Sequence, residues 1–122
     1  MSKKSEPDAE FIAEAQEAYI DEDWLKALDL YDIMVEGYPK YVPGWVHRSA
    51  CNLKLGRHND ALGDAAKAVK LDDTNPKAHL RKGMAFFELG EAEALMERDA
   101  AAVREEATTA QQRALAGVDV VS

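Results

Sequence analysis

Cysteine is nearly absent from this chain: Cys51 is the only thiol in 122 residues, so no internal disulfide framework exists, which agrees with a reducing compartment. Long apolar runs are missing too. No window approaches the roughly 18 apolar residues of a membrane-spanning helix, and the opening MSKKSEPDAE has no apolar stretch of the kind a signal peptide carries. The expected location is the cytoplasm, with the nucleus as a second compartment, and no membrane partner is expected. Lysine and arginine number 15 against 23 aspartate and glutamate residues, for a net charge of -8. That removes the surplus of cations needed for sequence-independent phosphate binding, so no nucleic-acid partner is expected either.

Catalytic and metal signatures are equally scarce. His47, His58 and His79 fall without ligand spacing, and Gly-rich phosphate loops and nucleophile elbows are not found. No cofactor and no metal are expected. His47 and Cys51 lie four apart and could touch on one helix, but no third group orients them. Cys51 therefore reads as a small buried hydrophobe and the protein as a non-enzyme. The acidic run Asp21-Glu22-Asp23 lacks the alternating oxygens and glycine of a calcium loop and instead suits the start of a helix at Trp24.

What is present is 47% hydrophobic and 31% charged, enough for one compact domain or small array with a modest core. Charge is unevenly spread. Residues 1–37 carry 3 basic and 11 acidic side chains, residues 38–90 carry 9 and 5, and residues 91–122 carry 3 and 7. A basic middle in an acidic chain suggests a segment that faces an acidic partner, or the acidic N-terminal segment itself.

An offset of 34 organises the rest. Val35, Val69 and Val103 recur at that spacing, as do Ala27, Ala61 and Leu95, then Ala15, Ser49 and Gly83; LKLG at 53–56 aligns with FELG at 87–90. Within each unit apolar residues return at three and four, as at Trp24, Ala27, Leu28, Tyr31, Met34 and Val35, so each unit predicts two helices. YPKYVPG and DDTNP separate the units, and Gly56 and Gly90 sit where tight interhelical turns are expected.

This pattern resembles the tetratricopeptide repeat (TPR), with Phe11, Ala15, Ala27, Tyr31 and Pro39 in unit one, Trp45, Ser49, Leu55, Gly56, Ala61 and Ala68 in unit two, and Gly83, Leu89, Gly90 and Ala102 in unit three. Glu22 stands where unit one would carry its turn glycine, and Leu95 and Asp99 depart from the small and apolar residues expected in unit three. The resemblance implies an all-α solenoid of three TPR helix-turn-helix repeats over about 8–41, 42–75 and 76–109, within a domain spanning 8–116. A short capping helix is expected over 108–116, with residues 1–7 disordered and 117–122 a frayed tail. Phe11, Tyr31, Trp45, Phe86 and Phe87 are assigned to packing. Trp24 and Tyr41, or the uncovered end of unit three, could bury themselves against a second copy and give a homodimer.

A TPR stack implies a concave groove lined by the first helix of each pair. The register sets Ile12, Gln16 and Tyr19, then His47, Ala50 and Lys54, then Lys77, Arg81, Met84 and Glu88 along it. Gln16, His47, Lys54, Lys77, Arg81 and Met84 are the candidate partner-binding residues. Lys77 and Arg81, one turn apart, form a positive strip able to hold carboxylates. In the competing arrangement Lys77 only solvates the helix start, while Arg81 pairs with an acid such as Glu88.

TPR co-chaperones that clamp the C-terminal carboxylates of heat-shock chaperones would need Lys and Asn at Ile12 and Gln16, Asn at His47, and Lys and Arg at Lys77 and Arg81. Only the last two match. The segment LGRHNDALGDAAKAVKLDDTNPKAHLRKGMAFFELG, with LYDIMVEGYP in unit one, is similar to the co-chaperone family called suppressor of the G-two allele of the Skp adaptor. That family joins a TPR domain to a CS domain and an SGS region, and links the ninety-kilodalton heat-shock chaperone to SCF-type ubiquitin ligases. The resemblance implies that the TPR domain binds the Skp-type adaptor and self-associates, while the CS domain, of which no segment is seen here, makes the chaperone contact. A TPR co-chaperone for acidic C-terminal tails and a purely structural self-assembly unit are the alternatives.

Overall fold

A computed structural model of the protein describes residues 5–121, apart from the side chains of several positions between 99 and 121. The described residues form five helices: α1 (Ala9–Ile20), α2 (Trp24–Gly37), α3 (Val42–Lys54), α4 (His58–Leu71) and α5 (Pro76–Val121). The starts of α2, α3 and α5 have local causes. Asp23 caps α2 by accepting from the Lys26 amide at 3.3 Å, and Asn75 caps α5 by accepting from the Ala78 amide at 3.1 Å. Pro43 and Pro76 occupy first turns, where a missing N–H has no intrahelical acceptor to lose.

The 34-residue offset is written into the backbone hydrogen bonds. In the first turn the amides of Asp21, Glu22 and Asp23 donate to the carbonyls of Glu17, Tyr19 and Ala18; in the second, Leu55, Gly56 and Arg57 donate to Cys51, Leu53 and Asn52. Position for position, these are the same bonds shifted by one unit. Glu22 (φ 60°) and Gly56 (φ 74°) both take the left-handed conformation, so unit one makes with glutamate the turn that unit two makes with glycine.

Small residues then set the packing. Ala15, Ala27, Ser49 and Ala61 are all fully buried, and the Ser49 hydroxyl donates to the Ala61 carbonyl at 2.7 Å across the α3–α4 contact. Gly44 lies on the α2–α3 seam, where a Cβ would stand 3.4 Å from Val35 Cγ1 and 3.5 Å from Met34 Cγ, in ordinary van der Waals contact. Around these contacts Leu28, Tyr31, Met34 and Cys51 form one core cluster, and Val46, Ala68 and Ala78 form another.

The third unit differs from expectation. Helix α5 runs on through Gly90, so residues 91–109, expected as a second helix, and 108–116, expected as a separate cap, continue one helix, and 117–121 are helical rather than frayed. The positive-φ glycine found among the described residues is Gly56. Locally this follows from EAEALMER after Gly90, a run of strong helix formers, while a reversal is favoured only when the returning helix buries an apolar face. Phe86 and Phe87, assigned to packing from the sequence, are 55% and 69% exposed. Of the N-terminal segment expected to be disordered, residues 1–4 lie outside the described residues and Pro7 is buried.

Candidate partner-binding groove

Helices α1, α3 and α5 carry the candidate residues at helical spacing, which keeps each set on one face of its helix. Ile12 and the exposed Gln16 of α1 share a narrow crevice with Tyr31, Tyr41, Pro43 and His47. Its free volume is about 10 Å³, room for about one water-sized group.

His47 is fixed from three directions. Its ring stacks on Tyr31 (5.2 Å between centroids, 11° between planes), meets Tyr19 edge-on at 5.8 Å, and donates from Nδ1 to the Pro43 carbonyl at 2.8 Å. Burial lowers its pKa from the usual 6.5, the Pro43 bond partly opposes that shift, and the cations Lys77 and Arg81 lower it further. The ring is therefore neutral at pH 7.

Lys77 is exposed and Arg81 half-buried. The Arg81 guanidinium touches a thioether, Nη1 to Met84 Sδ at 3.6 Å, and its Nε is buried without a partner. Glu88, the acid that would neutralise Arg81 in the competing arrangement, lies instead 3.5 Å from His58 Nε2. Among the described residues no carboxylate pairs with Lys77 or Arg81. Lys54 is engaged elsewhere, its ammonium 5.6 Å from the ring of Trp24, which packs edge-on against Tyr19 at 5.2 Å. Ala50 is buried, and Met84 is partly exposed beside Arg81.

The structure thus gathers Gln16 and His47 at one crevice, links His47 electrostatically to Lys77 and Arg81, and ties Lys54 to α2. Chemically, one stretch offers two cations without counter-charge and the other a neutral, partly apolar floor. Cys51 is fully buried and its thiol is pushed up to about 12, chiefly by that burial, which leaves no thiolate nucleophile near neutral pH.

Two features were not singled out in the sequence. Arg48 donates from Nε and Nη2 to both oxygens of Asp64 (3.0 and 2.6 Å) and from Nη1 to Asp32 (3.1 Å), while Asn52 donates to Asp64 at 2.9 Å. A spacing signal was available, since Arg48 and Asn52 are polar residues four apart on a largely apolar helix. The other feature is the Tyr31 hydroxyl, buried and unpartnered on a ring that the repeat pattern marks only as core.

Comparison with known proteins adds to this geometry. No family model matches the chain. It is 37% identical over 79 residues to the Protein SGT1 homolog of Oryza sativa subsp. japonica, a match covering 65% of this chain and 22% of that protein. The chain therefore spans only about a fifth of that relative's length. Among solved structures, the Sgt2 TPR domain from Aspergillus fumigatus superposes with a TM-score of 0.67 at 26% identity, over 76% of this chain and 64% of that one. The TPR2B domain of yeast Sti1, in complex with pHsp70, gives 0.64 at 28%, over 72% and 70%.

Proposed function

We propose that this chain, a tetratricopeptide-repeat domain similar to those of co-chaperones, is a protein-interaction adaptor whose groove holds an acidic segment of another protein at Lys77 and Arg81. One observation carries the proposal: the Arg81 guanidinium is half-buried and meets no carboxylate, because Glu88 lies against His58. An arginine used for stability is ordinarily satisfied within the fold, whereas one held ready for a partner keeps its donors open. Catalysis has no such support, since Cys51 is sealed in the core.

In its finer form the proposal sets the domain in a cytoplasmic, and also nuclear, co-chaperone that joins the ninety-kilodalton heat-shock chaperone to SCF-type ubiquitin ligase components, with the Skp-type adaptor as the groove's partner. Support comes from the similarity to the rice SGT1 homolog. Capture of acidic C-terminal chaperone tails is the second reading, favoured by the likeness to an Sti1 domain in complex with pHsp70. Self-association is favoured by Leu80 and Phe87, which are exposed on α5.

Isothermal titration against a Skp-type adaptor, Hsp70 and Hsp90 separates these readings. The adaptor proposal expects one of them to bind, and Lys77→Glu with Arg81→Glu to weaken it by about 1–3 kcal/mol per contact. Tail capture alone is abolished by amidating the partner's terminal carboxylate. Affinity unchanged by the charge reversal contradicts the groove proposal.

A further inference from the structure

Two buried donors lack an acceptor of their own: the hydroxyl of Tyr31, a residue only 2% exposed that lines the crevice, and the Nε–H of Arg81. Buried donors in folded proteins are almost always satisfied, so an unpaired one is a free-energy cost that an incoming acceptor removes. The His47 ring links the two, stacked on Tyr31 at 5.2 Å and within electrostatic reach of Arg81. Tyr31 is approached through the crevice beneath Ile12 and Gln16, whose volume of about 10 Å³ admits one oxygen.

We propose that the groove engages an internal acidic segment at two points: a carboxylate side chain on Lys77 and Arg81, and a neighbouring main-chain carbonyl that enters the crevice and accepts from the Tyr31 hydroxyl. This deepens the adaptor reading and rests on it. The carbonyl is favoured over a chain terminus by charge. Helix α1 carries Glu10, Glu14 and Glu17 and no cation, so a terminal carboxylate beside Ile12 and Gln16 would meet repulsion and no counter-charge. A neutral carbonyl needs only one donor, and one is present.

The test titrates the protein with a pool of short peptides, acetylated and amidated at their ends, each with one internal Asp or Glu among small residues. Binding is followed by isothermal titration, and thermal stability is measured in parallel. Tyr31→Phe is expected to weaken binding about five- to tenfold, the loss of one hydrogen bond, with a Tm equal to or above the parent's because the hydroxyl has no internal partner to lose. Lys77→Glu with Arg81→Glu is expected to abolish the response. If the charge reversal abolishes binding while Tyr31→Phe binds like the parent, the two-point mode is overturned and the adaptor reading stands. Tighter binding of peptides with a free terminal carboxylate and no internal acid overturns the internal-segment choice. If neither variant changes the response, or the pool gives none, both readings are overturned.

Discussion

Helices α3 and α5 occupy equivalent places in successive units and treat their residues differently. On α3, Val46 and Ala50 are 3% and 2% exposed; their counterparts one unit later, Leu80 and Met84, are 57% and 37% exposed. After α3 the chain turns at Gly56, whereas Gly90 is a helical residue of α5. Arg48 of α3 is held by two carboxylates, while Arg81 of α5 meets a sulfur. The difference separates two uses of the first helix of a repeat. Where every group is covered or paired, a helix is scaffold; where apolar area, a guanidinium and a lysine all remain open, it is the element through which the domain meets something else.

The largest effect comes from making α3 resemble α5. Asp64→Ala removes the bidentate partner of Arg48 and the acceptor of Asn52, leaving a largely buried guanidinium with only the exposed Asp32. Equilibrium denaturation is expected to show a loss of about 2–3 kcal/mol, since breaking such a pair leaves one charge uncompensated. Next come the glycines. Gly56→Ala forces a Cβ into a left-handed turn and is expected to cost about 1 kcal/mol, whereas Gly90→Ala within α5 is expected to gain about 0.5–1 kcal/mol. A loss at both positions would mean that Gly90 is used as a turn after all.

The pH dependence probes the groove side. Because burial lowers the His47 pKa below its unfolded value of 6.5, the unfolded chain binds the proton more readily. Stability is then fully present above about pH 6.5 and is lost as pH falls through the lower, folded-state pKa. Unfolding curves at successive pH values should show that decline in the parent and less of it in His47→Gln.

Much of this was legible beforehand, for identifiable reasons. The 34-residue period, the small residues Ala15, Ala27, Ser49 and Ala61, and the breakers are local or periodic, so the helix pairs of units one and two follow from them. The turn at Glu22 shows that a backbone conformation can be imposed by its neighbours without glycine, and the helix through Gly90 shows that glycine alone does not impose one. Gln16 and His47 line one crevice, and the Lys54 cation lies over Trp24 on another helix, a contact that the register does not specify. Neither the Arg48 cluster nor the unpaired Tyr31 hydroxyl can be read from spacing alone, because both depend on which atoms of different helices meet.

The most direct test of the distinction between scaffold and contact helix is Arg81→Glu, measured for unfolding free energy and for partner affinity on the same preparation. We expect stability within about 0.5 kcal/mol of the parent and binding weakened at least about tenfold. Stability lost by several kcal/mol with affinity untouched would mean that Arg81 belongs to the scaffold, contradicting the account.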